Sequence, residues 1–429
     1  PREAPVPGQP LSLPDAIALA LRQHPTIRAA QEGRTAAEAR IPQARSAYYP
    51  RLDWITAFAR RQLTASGQRA GTPTVDPVTG EPVVTVEPPG DTDITIRSNT
   101  FSTELEARQL IFDFGKTRAI VDEARAGLRL SEGELERIRE LIVLNVKQAY
   151  YQLLQARRLV GVSDAQVARA ELNLRSARGF FEVGTKPKSD VTRAEVEVAN
   201  ARVAQIRARN NVLLAETSLA NALGLEATTP VQVEDILGFE PVPLDPQLLR
   251  TEALTTRPEL VQAAARVDAA RAQLAGARAR FFPDLSASGS YGGAGEDFSL
   301  NEQWSIGVSL GWNLFEGFFS VYRVRETDAL LNASRANYET LELQVRLEVE
   351  QAVILVVEAA ERIAATEVAL ESARENLRLA QGRYDAGVGT ILDLTDAQLA
   401  LTNAEADQVR ALTDHKVGLA LVDRAVGRP

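Results

Sequence analysis

The residues best placed to do chemistry are two aspartates in YDAGVGTILDLTDA (384–397). Asp393 and Asp396 stand three apart, just behind Gly387 and Gly389. Residues three apart share a helix face, so two carboxylates there can gather cations and repel anions. Spacing also allows a plainer role. Thr390 precedes Asp393 by three, as in a capping box, and acids in a first turn suit the helix dipole. Neither role is catalytic. The chain has no Cys and two His, His24 and His415. No His/Asp/Glu cluster has metal-ligand spacing and no nucleophile–base pair is evident, so no metal, cofactor or catalysis is expected. His415 falls on an apolar helical seam, which makes it a packed residue rather than a ligand.

Composition narrows the field. With 48 Lys and Arg against 57 Asp and Glu the formal charge is -9. That argues against a nucleic-acid partner, because phosphate binding draws on clustered basic residues. The longest apolar runs, such as AVILVV (352–357), stop far short of the ~20 residues a membrane-crossing helix needs. Absent cysteine suits exported and cytosolic proteins alike. The chain also lacks Met and begins PREAPVPG, as expected of a processed mature form.

The elements that hold the aspartates come in two copies. HPTIRAA (24–30) falls on RPELVQAA (257–264) and AYYPRL (47–52) on RFFPDL (280–285), at an offset of 233. Further on, IFDFG (111–115) matches LFEGF (314–318) and GFFEVG (179–184) matches GRYDAG (382–387), at an offset of 203. The chain is a tandem duplication, with repeats over about 11–224 and 244–427 and thirty extra residues in the first copy. Those must lie between 52 and 111, where GTPTVDPVTGEPVVTVEPPGD (71–91) concentrates Pro and Gly and predicts a long exposed loop.

Within each copy, alternate steps of four and three trace an apolar seam. It runs Ile142, Val146, Ala149, Leu153 onward to Phe181, and Val345, Val349, Ala352, Val356 onward to Tyr384. Such a period over more than five heptads predicts coiled-coil packing, with one hydroxyl at the matched step, Ser163 and Thr366. Alanine-rich partner seams begin at Val191 and Leu394. No Pro interrupts 90–186 or 284–428. A helix from Lys116 to Phe181 would be roughly 100 Å long, too long for a compact globule.

Elsewhere the period becomes two. In WSIGVSLGWNL (304–314), Trp304, Ile306, Val308, Leu310, Trp312 and Leu314 alternate with small or polar residues. Phe101, Thr103, Leu105 and Ala107 alternate similarly, and 52–60 and 285–291 supply two weaker strands. A soluble sheet covering a core would show the same pattern. Aromatics near the strand ends, Trp54, Phe101, Trp304 and Trp312, and lengths near the ~9–11 residues of a transmembrane strand favour lipid instead. Four strands cannot close a barrel that needs about eight, and open edges in lipid are costly. If the strands enter a membrane, several chains must share one barrel.

Short helix, hairpin, long helix, turn and long helix, given twice, with LPDAIALALRQHP at the head and FFPDLSASGSY opening the second hairpin, resemble the TolC-like family of outer-membrane efflux proteins over nearly the whole chain. The resemblance implies a mainly α fold with a transmembrane β part. It implies a homotrimer whose 12-stranded β-barrel, in the bacterial outer membrane and its lipid, continues as a long periplasmic α-helical barrel. The hairpins would be 52–112 and 285–318, and 224–245 an equatorial belt. The helical barrel would take 1–51, 113–223, 246–284 and 319–429. Partners implied are a periplasmic adaptor protein and an inner-membrane pump. The turns Val183, Gly184, Thr185 and Ala386, Gly387, Val388 would face the adaptor. Asp393 and Asp396 match the family's gate, where mutual repulsion would raise their pKa values. Tyr384 and Asp190 match a latch. One departure stands out: the arginine of a second tie falls on Gly389. The expectation is a passive, non-enzymatic export duct of a tripartite efflux or type I secretion system. The alternative is a structural trimeric coiled-coil stalk or adhesin without channel activity.

Overall fold

The computed structural model describes residues 10–66, 73–84, 93–296 and 299–428. The elements run α1 (Leu13–Gln23), α2 (Pro25–Arg45), β1 (Arg51–Ser66), β2 (Pro73–Val75), β3 (Pro82–Val84) and β4 (Asp93–Phe112), then α3 (Lys116–Glu182) and α4 (Lys188–Ala222). The second copy gives α5 (Pro246–Thr256), α6 (Pro258–Ala279), β5 (Asp284–Gly295), β6 (Asn301–Gly311), α7 (Phe319–Asp385) and α8 (Ile391–Val426). The one short helix expected at the head of each copy is two. His24 and Arg257 each precede a proline, whose ring disfavours the α conformation one residue back. Both take extended backbone, at ψ 125° and 121°, so each helix restarts at the proline.

Two compact units emerge, one comprising 1–40, 123–271 and 329–429, the other 41–122 and 272–328. In the first, the predicted seams are buried or half-buried, except that Phe181 at the end of the first seam is exposed. Val146, Leu153 and Ala177 in α3, Val345, Val349 and Val356 in α7, and Leu394, Ala397 and Ala411 in α8 are shielded from solvent. The matched hydroxyls do not break the seams, because each bonds back to its own helix: Ser163 to the Val160 carbonyl, Thr366 to those of Arg362 and Ile363. Small residues let the helices approach closely. A Cβ on Gly418 would lie 3.0 Å from Val356 Cγ2. The segment 224–245 is tied to α3 by Tyr150, fully buried, whose hydroxyl donates to the carbonyls of Leu11 and Glu234 at 3.0 and 2.9 Å. His415 is buried edge-to-face against Phe239, as packing predicts.

The second unit is built on one antiparallel sheet of order β1-β4-β5-β6. Its register lines up Trp54, Leu105, Tyr291 and Trp304 as one row across all four strands, and Leu52, Ala107, Gly289 and Ile306 as another on the same face. The opposite face carries polar pairs, Ser290 with Ser305 at 3.0 Å and Ser286 with Ser309 at 2.9 Å. Two expectations need correction here. The strand expected through Leu314 stops at Gly311, so Trp312 lies beyond it, its indole N–H donating to the Phe281 carbonyl at 3.0 Å. The 71–91 stretch is not all loop, because β2 and β3 pair within it about a turn at 77–79; residues 71–72 and 85–91 lie outside the described ones.

Candidate functional site: the paired helical turns

The two turns between the long helices are built alike. In the first, the Thr185 and Lys186 amides both donate to the Phe180 carbonyl, and Gly184 donates to Phe181. In the second, Val388 and Gly389 donate to Arg383, and Gly387 to Tyr384. Gly184 and Gly387 take positive φ, 77° and 76°, which a side chain resists, so glycine is what lets each helix end there. Val183 and Val388 project from the turns, 72% and 74% exposed, among the predicted tip residues Val183, Gly184, Thr185, Ala386, Gly387 and Val388.

Behind the second turn, α8 starts with the predicted capping box. The Asp393 amide donates to Thr390 Oγ1 at 3.2 Å, while Asp393 Oδ2 accepts from the Thr390 hydroxyl at 2.8 Å and its amide at 3.2 Å. Asp393 and Asp396 are both exposed, flanking the buried Leu394 and Ala397. Within one chain Asp393 does not show the expected upward shift. The Thr390 hydroxyl, then its amide, holds this carboxylate below the usual range. Asp396 lines a cleft of about 350 Å³ with Arg193, Glu197 and Thr402, beside a two-pronged ion pair from Arg169 to Glu405, 2.9 Å at its shorter contact.

Tyr384 is fully buried in an apolar cluster with Ile391 and Leu394, its ring edge-to-face with Phe180 at 5.7 Å. Its hydroxyl has no hydrogen-bond partner among the described residues. Burial, then the charge of Asp190, raises its pKa, so Asp190 is near without a hydrogen bond to the phenol. What the sequence did not disclose is Lys186. Its ammonium donates to the Gly389 carbonyl at 3.1 Å and sits 5.1 Å from the centre of the Tyr384 ring. Position 389 has no room for a side chain such as an arginine: a Cβ there would lie 2.9 Å from the Tyr384 nitrogen.

A second feature escaped sequence reading, a buried charge network near the C-terminal end of α8. Arg424 pairs with Glu140 at 3.0 Å and, more closely, with Glu259, while Arg257 pairs with Glu259 and Glu348 at 3.0 and 2.7 Å. Burial pushes Glu140 up to about 7, against a weaker pull from Arg424. Burial also acts upward on Glu259, but the hydrogen bond from Arg424 and the charges of Arg257 and Arg424 outweigh it and hold Glu259 below the usual range. Among the described residues no group of three or more acidic, His or Cys side chains is placed to hold a metal.

Comparison with known proteins agrees with this architecture. Residues 16–225 and 249–428 match the family model described as outer membrane efflux protein. Protein CyaE of Bordetella pertussis is 28% identical over 404 residues, 90% of this chain and 78% of its own. The outer membrane protein TolC of Escherichia coli is 25% identical over 350 residues, 77% and 70% of the two chains. The solved outer membrane channel CmeC of Campylobacter jejuni shares the fold at a TM-score of 0.82 and 18% identity, covering 97% of this chain and 85% of that one. A duplicated chain with two matched helical turns, an open two-faced sheet and a family match over both copies allows one assignment: it belongs to the outer membrane efflux protein family, channels of the bacterial outer membrane that extend into the periplasm and are not enzymes.

Proposed function

We propose that the chain is the outer-membrane duct of a tripartite export system, working as a homotrimer with a periplasmic adaptor and an inner-membrane pump. Three sheets join edge to edge into a 12-stranded barrel formed by the hairpins 52–112 and 285–318. The long helices continue it as a tunnel, with 224–245 as the belt. The observation that carries this reading is the sheet. Its outer strands β1 and β6 each have one neighbour, and every residue of β6 is exposed. A four-stranded apolar-faced sheet left so bare requires further copies, because unpaired edges in lipid cost several kcal/mol per group. Trp54 and Trp304, 79% and 71% exposed, and Tyr291 then form an interfacial girdle, with Phe101 on the same face four residues farther along β4 from that row.

The gate is the periplasmic tip. Asp393 and Asp396 ring the bore, passing cations and repelling anions. The turns of Val183–Thr185 and Ala386–Val388 meet the adaptor, which opens the tip by binding the open form more tightly than the closed one. Tyr384 and Asp190 restrain the inner helix through ring packing and nearby charge rather than through a phenol hydrogen bond. Conductance in planar lipid bilayers tests this. Replacing both gate acids with Asn keeps a capping side chain on α8 but removes the charge. The double variant is expected to conduct anions more readily and to show larger basal conductance. An unaltered current and selectivity would remove Asp393 and Asp396 from the gate.

A further inference from the structure

The two turns occupy equivalent places in the duplication, and their amide patterns match residue for residue, so Lys186 and Gly389 are counterparts. One copy supplies a long cationic donor. The other supplies a bare carbonyl at a position where no side chain fits, because a Cβ would lie 2.9 Å from the Tyr384 nitrogen and 3.0 Å from the Arg383 carbonyl carbon. We propose that Lys186 is the positioning residue that clasps the second helical hairpin to the first, by reaching across to the Gly389 carbonyl and over the Tyr384 ring, and that its release permits opening. This rests on the reading of the tip as the gate.

Three features suit Lys186 to a releasable hold. Its backbone is fixed by its own amide on the Phe180 carbonyl, so the side chain starts from a defined point. Its acceptor is a neutral carbonyl, in contrast to the two-pronged Arg169–Glu405 pair farther along α3 and α8. A lone charge-assisted bond adds to closure yet can break without stranding a carboxylate opposite. Finally, the ring beneath it belongs to Tyr384, whose neighbours Ile391 and Leu394 open α8 ahead of and beside Asp393. Movement of the second hairpin therefore has to slide that ring from under the ammonium, losing the cation–π contact together with the hydrogen bond.

The test is single-channel recording on the full chain in planar lipid bilayers, comparing Lys186→Met, Lys186→Arg and the double Asp→Asn gate variant with the unaltered protein. Methionine keeps much of the aliphatic stem and discards the donor and charge; arginine keeps both. Lys186→Met is expected to raise the ratio of open to closed dwell time about tenfold, equivalent to about 1.4 kcal/mol, with Lys186→Arg near the unaltered value. Thermal melting should be unchanged in both, and Lys186→Gln replaces the Met variant should that one fail to assemble. An unaltered Lys186→Met channel alongside a changed gate variant would overturn the clasp and leave the gate reading standing. If both are silent, the tip does not gate and the clasp falls with it. An equal rise in the Met and Arg variants would trace the effect to disturbed packing and likewise overturn the proposal.

Discussion

At the residue scale the buried charges do most to set pH behaviour. Glu140 is buried and holds its proton up to about 7, above its ordinary 4.5. A carboxyl that binds its proton more tightly folded than unfolded favours the folded state at acidic pH. That advantage is lost as pH rises from about 4.5 through about 7. The full swing is on the order of 3 kcal/mol. Glu140→Gln is therefore expected to match the unaltered protein near pH 5 and exceed it in melting temperature near pH 8, as read by calorimetry at both pH values. A variant less stable at pH 8 would mean that the ionised pair with Arg424 outweighs the burial cost. This network was not legible in the sequence, because Glu140, Glu259, Glu348 and Arg424 come together only when four helices pack. The Thr390–Asp393 capping box was legible, being set within one turn. Lys186 lies between: its identity and its counterpart Gly389 were visible, but the reach from one turn to the other was not.

Elements were the most readable scale, because periodicity is local. Between Ile142 and Ala177, and between Val345 and Tyr384, the seam residues named from spacing alone make up most of the buried positions, whereas the buried residues of α3 ahead of Ile142 lay outside the seam. Errors arose where a local break competes with the period, as at His24–Pro25 and Arg257–Pro258, and where alternation continues past the last ladder bond, as at Trp312. Close helix packing gives an element-level prediction. Leucine at Gly418 would drive its side chain into Val356, already 3.0 Å from a bare Cβ. Gly418→Leu is expected to cost about 1–3 kcal/mol and to part α7 from α8. Denaturant melts of the detergent-solubilised protein check this, and an unchanged midpoint would mean the two helices yield freely there.

For the whole molecule, the duplication was legible in the sequence, while the order of strands within the sheet came only from the structure. Antiparallel pairing of β4 with β5 joins the two copies, leaving β1 and β6 as the outer edges. Native mass spectrometry from detergent is expected to give a mass of three chains, each 46.6 kDa. A soluble single chain, stable without detergent, would contradict the proposed shared barrel.

The β4–β5 ladder also governs timing. It pairs Phe101 with Gly295 and Phe112 with Leu285, segments separated by roughly 180 residues. Hairpin turns nucleate quickly, whereas closure over such a distance is slow and entropically costly. The helices between these strands can form before the ladder does. Each newly made chain thus passes through an interval in which β4 and β5 lack each other. Until that ladder zips, the unpaired edges of β4 and β5 leave such a chain prone to clumping.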